Sequence, residues 1–88
     1  MYSIKPSKKV LKAIEFLPKS NKKKLREFLN ILKYNPFPDT FDIKKLKGRH
    51  PPQFRVRFGD FRLRYAIDFE SKTIYLIDLE RREKVYKK

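Results

Sequence analysis

Residues 54–68 read FRVRFGDFRLRYAID. Apolar Phe54, Val56 and Phe58 alternate with Arg55 and Arg57. After Gly59-Asp60 the alternation resumes, with Leu63, Tyr65 and Ile67 set against Arg62, Arg64 and Asp68. A two-residue period marks strands with one buried face. Glycine at the first central position of a two-residue loop suits a type II′ turn, so Gly59 and Asp60 are read as the loop of a hairpin. That loop sets the register. Phe58 falls opposite Phe61, Arg57 opposite Arg62, and Arg55 opposite Arg64. All four arginines then share one face. Phe54, Val56, Phe58, Phe61, Leu63 and Tyr65 share the other, which is expected to pack against helices.

Outward from the hairpin, residues 73–79 (TIYLIDL) form a third β-rich run behind a turn near residues 70–72. Upstream, residues 43–47 (IKKLK) read as a short strand between loops at 37–40 and 48–52. The first third of the chain is helical in pattern. Ser7 is a candidate N-cap, followed by Val10, Leu11, Ile14 and Leu17 at helical spacing, and Pro18 stops that helix. Ser20 or Asn21 opens a second helix with the stripe Leu25, Phe28, Leu29 and Leu32. Asn35-Pro36 ends it, because a residue before proline avoids the helical region. Residues 2–5 can form an edge strand. The expectation is one α+β domain over residues 1–88, with an N-terminal helical hairpin packed on one face of a small, mainly antiparallel β-sheet.

The chain carries 24 Lys and Arg against 10 Asp and Glu, a formal net charge of +14 over 88 residues. Self-repulsion of that size works against a compact monomer, so an acidic partner is expected. Like charges directly opposite on neighbouring strands are also destabilising, and in this reading only Asp68 relieves the arginine face. Of the eight arginines, six lie between Arg55 and Arg82, while most lysines lie upstream. Guanidinium offers a planar fork that matches phosphate in two places, whereas ammonium acts as a point charge. The pattern indicates a face that grips a polyanion, with RNA foremost and DNA or an acidic protein as alternatives. The tail, ERREKVYKK at 80–88, adds Arg81, Arg82, Lys84 and Tyr86. Tyr86 can stack on a base, move a proton, or pack on its own domain.

Other chemistries are excluded by what the sequence lacks. There is no cysteine, so thiol catalysis and Cys-type zinc sites are out. His50 is the single histidine and the acids are scattered, which does not suit a metal-dependent nuclease. Two glycines cannot make a glycine-rich phosphate loop. No metal and no cofactor are therefore expected, and any RNA cleavage would use the substrate's own 2′-hydroxyl as nucleophile. Arginines can orient that group and stabilise the charged phosphorane. Tyrosine or lysine can move the proton. The N-terminus lacks an apolar signal region and no run reaches membrane-spanning length, so a cytoplasmic location is expected.

Three pieces, LKG at 46–48, FRVRFGDFRLRY at 54–65 and RREKVY at 81–86, resemble the RelE/ParE toxin superfamily, and the helical hairpin and chain length extend the resemblance over essentially the whole chain. The RelE branch implies a messenger-RNA endonuclease that works in the ribosomal A site by metal-free 2′-OH attack. It also implies a cognate acidic, RelB-like antitoxin that covers the basic face in a hetero-oligomer. On that resemblance the basic pair of the first hairpin strand is Arg55 and Arg57, and the phosphate stabiliser after the turn is Arg62. The late arginine is Arg81 or Arg82, and Tyr86 orients or activates the 2′-OH. Lys47, Arg64 and Lys84 are supporting phosphate contacts. RelE itself has lysines where this chain has Arg55 and Arg57, and a guanidinium with a pKa above about 12 is a poor proton acceptor. The proton-transfer roles stay open at this point. The ParE branch implies instead a non-enzymatic gyrase poison, and a plain RNA- or ribosome-binding module is a further alternative.

Overall fold

The computed structural model describes residues 1–81. The elements run β1 (Ser3–Pro6), α1 (Lys8–Glu15), α2 (Lys19–Leu32), β2 (Asp42–Leu46), β3 (Gln53–Phe58), β4 (Phe61–Asp68) and β5 (Thr73–Arg81). The strands form one sheet in the order β1-β5-β4-β3-β2. β1 pairs parallel to β5, and every other pairing is antiparallel. Two helices on one face of a mostly antiparallel five-stranded sheet match the α+β expectation.

The β3–β4 hairpin has the expected register: Phe58 opposite Phe61, Arg57 opposite Arg62, Arg55 opposite Arg64. Gly59 has φ +60° while Asp60 stays out of the left-handed region, the pattern of a type II′ turn. Phe54, Val56, Phe58, Leu63 and Tyr65 are buried, and Phe61 sits at the margin of burial. Phe28 of α2 meets the ring of Tyr65 edge-on at 5.8 Å between centroids and that of Phe41 at 5.0 Å. Each such fully buried apolar side chain contributes about 1.5–3 kcal/mol relative to exposure, and this layer seats the helices.

Ser7 caps α1 as its position indicated. Its Oγ accepts from the Val10 N–H at 3.1 Å and donates to the Ile77 carbonyl at 3.2 Å, so the cap also ties the helix to β5. Of the four apolar residues at helical spacing here, Val10 and Leu17 are buried and Ile14 is half-buried, but Leu11 is exposed. Leu11 lies about 100° round the helix from Val10, given 3.6 residues per turn, which carries it off the core-facing stripe. α2 begins at Lys19 rather than at Ser20 or Asn21, with Pro18 in the cap position and no side-chain cap bond. β2 is set one residue earlier than residues 43–47, and β5 runs two residues beyond Leu79.

The β4–β5 ladder contains a bulge. Arg64 pairs with Asp78 and Tyr65 with Leu76, which leaves Ile77 without a cross-strand partner. Before the bulge Ile74 and Leu76 point to the core, and after it Leu79 does. An unbroken alternation along this sequence would have sent Asp78 and Glu80 inward with Ile74 and Leu76. The extra residue turns both carboxylates onto the arginine face. Asp68 is engaged at the other end of β4, where its Oδ1 accepts the Glu70 and Ser71 N–H groups at 3.1 and 3.4 Å and holds the turn into β5. The relief expected from Asp68 therefore comes from elsewhere. Among the described residues, no helix is long and apolar enough to cross a membrane.

Candidate functional site

Cross-strand register arranges the polar face of the sheet in two rows. One row runs Lys44, Arg55, Arg64, Asp78 across β2, β3, β4 and β5. The next runs Asp42, Arg57, Arg62, Glu80 over the same strands. The cations cluster in the middle of the sheet and the acids stand at its sides. Arg49, from the loop between β2 and β3, joins them. Leu46, Arg49, Arg55, Arg62, Arg64, Asp78 and Glu80 line one depression of about 350 Å³. A smaller one of about 110 Å³ lies beside it against Asp42, Lys44, Arg55, Arg57 and Arg62. Arg55 and Arg62 border both.

The arginines fall into two groups by their partners. Arg64 hydrogen-bonds Asp78 through Nη2, and Lys9 of α1 brings its Nζ to 2.7 Å from the other oxygen of the same carboxylate. Asp78 is only 14% exposed. The Lys9 hydrogen bond, opposed by burial and aided by Arg64, holds its carboxyl below the usual aspartate range. The same contact raises the Lys9 ammonium. Arg57 reaches Asp42 at 3.4 Å in an exposed rim pair. By contrast, Arg49, Arg55 and Arg62 have no carboxylate within 4.0 Å among the described residues. Three unneutralised guanidiniums in one concavity make a site for an anion with several acceptor oxygens. No proton-transfer group comes from Tyr65, whose fully buried phenol lies on the opposite face and is pushed up by desolvation.

The structure brings Arg55, Arg57, Arg62 and Arg64 onto one face, as the hairpin register indicated. Lys47 lies in the turn that follows β2, outside the linings of both depressions, and Lys44 occupies the neighbouring place on the arginine face. Arg81 is paired with Phe61 in register, and its guanidinium carbon stands 5.3 Å from the centre of the Phe61 ring, on the helix side of the sheet. Arg82, Lys84 and Tyr86 lie outside the described residues. Sequence reasoning missed Lys9, Asp42, Lys44, Arg49, Asp78 and Glu80. The 43–47 run carried little signal for Lys44, because IKKLK does not alternate and Leu46 shares the arginine face with it. Nothing local signalled Arg49 or the two acids of β5, which need the loop path and the bulge.

No protein-family model matches the chain. The predicted toxin RelE1 of Methanocaldococcus jannaschii is 41% identical over 87 residues, covering 98% of this chain and 96% of that one. The chain belongs to the RelE toxin family. Its fold agrees with that of the archaeal RelE–RelB complex from Pyrococcus horikoshii OT3, at a TM-score of 0.84 and 37% identity over 92% of this chain and 94% of that one. The isolated Escherichia coli RelE toxin shares the fold at a TM-score of 0.76 with 18% identity, over 92% of this chain and 84% of that one. The arginine-lined depression of this RelE-family chain sits on the sheet face turned away from the helices. Core packing on one face and ligand chemistry on the other are thus separated by the pleat itself.

Proposed function

We propose that this RelE-family toxin inhibits translation by cutting messenger RNA in the ribosomal A site, through attack of the 2′-hydroxyl on the adjacent phosphate and without a metal ion. The observation that carries the reading is the convergence of Arg49, Arg55, Arg62 and Arg64, from a loop and two strands, on one depression. Arg55 and Arg62 flank the phosphate and stabilise the negative charge that grows on the phosphorane. Such preorganised donors are typically worth about 10²–10³ in rate. Arg64, fixed by Asp78, holds a neighbouring backbone phosphate, with Arg57 and Lys47 towards the rim. Arg82 and Lys84 are further phosphate contacts and Tyr86 orients the 2′-OH, while Arg81, turned to the helix side against Phe61, is set aside as the late arginine.

In the cell this cytoplasmic toxin is held by an acidic RelB-like antitoxin in a hetero-oligomer. The P. horikoshii relative is a RelE–RelB complex, and the net charge of +14 with facing arginine pairs favours an acidic partner.

Primer extension on a defined message in a translating extract, with EDTA-washed protein added, tests this reading. Discrete cuts within A-site codons, lost in Arg62→Ala and Tyr86→Phe, are expected. An uncut message with undisturbed translation would overturn the reading, and inhibition of gyrase supercoiling in its place would assign the protein to the ParE mode.

A further inference from the structure

The depression mixes charges in a way that phosphate binding alone does not account for. Its guanidiniums suit an anion, yet Asp78 and Glu80 stand in its wall. A carboxylate beside a phosphate repels it, so each acid needs a reason to be there. Asp78 has one, since it fixes Lys9 and Arg64. Glu80 makes no such contact. It is exposed, it stands opposite Arg62 in register, and no cation of the described residues comes within 4.0 Å of its carboxylate. The bulge at Ile77 is what puts it on this face.

Among the described residues of the depression, the chemistry has few candidates for a proton acceptor. A guanidinium does not serve. The carboxylate of Asp78 is engaged by two cations that keep it ionised and weakly basic. Tyr65 faces the core. Of the described side chains that line the depression, only Glu80 is both able to take a proton and free to do so.

We propose that Glu80 is the general base for RNA cleavage, an assignment that rests on the nuclease reading above. Cross-strand partners have Cβ atoms about 4.5–5.5 Å apart. Arg62 can therefore hold the phosphate while Glu80 faces the 2′-oxygen of the preceding ribose. The Glu80 carboxylate takes the 2′-hydroxyl proton as the 2′-oxygen bonds to phosphorus. The bond from phosphorus to the 5′-oxygen breaks, and that oxygen is protonated from solvent. The products are a 2′,3′-cyclic phosphate and a 5′-hydroxyl. Glu80 then returns its proton to water.

The experiment is single-turnover cleavage of a message on programmed ribosomes by the full-length wild type, Glu80→Gln and Glu80→Asp across the pH range. Binding is measured in parallel to the same ribosomes carrying a 2′-deoxynucleotide at the scissile position. Removal of a general base is expected to slow cleavage by about 10²–10⁴-fold. The acid limb of the wild-type pH profile should vanish in Glu80→Gln and survive, at a reduced rate, in Glu80→Asp. Binding of Glu80→Gln to the deoxy complex should be unchanged or tighter, because a repelling charge is gone. A wild-type rate in Glu80→Gln, an acid limb that persists in it, or a loss of binding that matches the loss of rate would each overturn the role of Glu80 while leaving the nuclease reading intact. Failure of the wild type to cut would sink both.

Discussion

Arg64 and Asp78 face one another across β4 and β5, hydrogen-bonded side chain to side chain, with Lys9 on the second carboxylate oxygen. One acid from β5 thereby fixes a cation of the sheet and one of α1, and pins the helix to the border of the arginine face. Asp78→Asn should destabilise the fold by about 1.5–3 kcal/mol, the range for hydrogen bonds to charged groups. The Lys9 share is the smaller for its 69% exposure to screening solvent. The pH dependence follows from linkage. The folded carboxyl titrates below its unfolded value of about 3.8, so its contribution is complete above that pH and is lost as pH falls through the folded value. Urea unfolding of the wild type should therefore show an acid limb that is shallower in Asp78→Asn. Equal limbs would show that Asp78 is not held as described.

The unpaired arginines work against the fold. Arg62 lies opposite Arg57 and Arg55 opposite Arg64, and like charges directly opposite across strands are destabilising. Arg62→Ala and Arg55→Ala are expected to raise the urea midpoint while they abolish toxicity. Loss of stability on either substitution would mean that these side chains hold the sheet rather than a ligand.

Gly59 sits at φ +60°, and a Cβ there would come within 3.3 Å of Asn21 Nδ2 on α2. Both effects penalise a side chain. The left-handed backbone alone costs a non-glycine residue about 1–2 kcal/mol. Gly59→Ala should lower stability by at least that much in equilibrium unfolding. A neutral result would show that the turn rearranges without cost.

Deletion of Ile77 tests the bulge. With the extra residue gone, Tyr65 can still meet Leu76 and Arg64 can still meet Asp78, now in an unbroken ladder. Leu79 keeps its place in the core, and Asp78 and Glu80 keep theirs among the arginines, because the side-chain period is two. The variant should therefore unfold cooperatively by circular dichroism. Its stability should lie within about 1.5 kcal/mol of wild type, the scale of one hydrogen bond such as that from Ser7 to the Ile77 carbonyl. Loss of the cooperative transition would show that the bulge shapes the sheet and does more than set the phase of β5.

Binding of a short uncleavable single-stranded RNA should weaken linearly in log–log form as salt rises, by about 0.7 per phosphate neutralised. Arg55→Ala and Arg62→Ala should each reduce that slope by roughly one phosphate's worth. Unchanged slopes would place the RNA backbone elsewhere on the surface.

The sequence by itself determined the hairpin at the centre of the sheet. Its register was legible because a strict two-residue period and a two-residue turn are local, and together they leave one pairing that buries Phe54, Val56, Leu63 and Tyr65. The cap at Ser7 was legible for the same reason, since it acts within one helical turn. Everything that depends on two distant segments was decided only in the tertiary structure. The parallel pairing of β1 with β5, the arrival of Arg49 from a loop, and the contact of Lys9 with Asp78 leave no trace in nearby residues. The bulge is the sharpest case. Residues 73–81 look like a plain strand until a partner strand shows which residue is skipped. Only pairing with β4 places Asp78 and Glu80 among the arginines, because a bulge is a property of two strands and not of one.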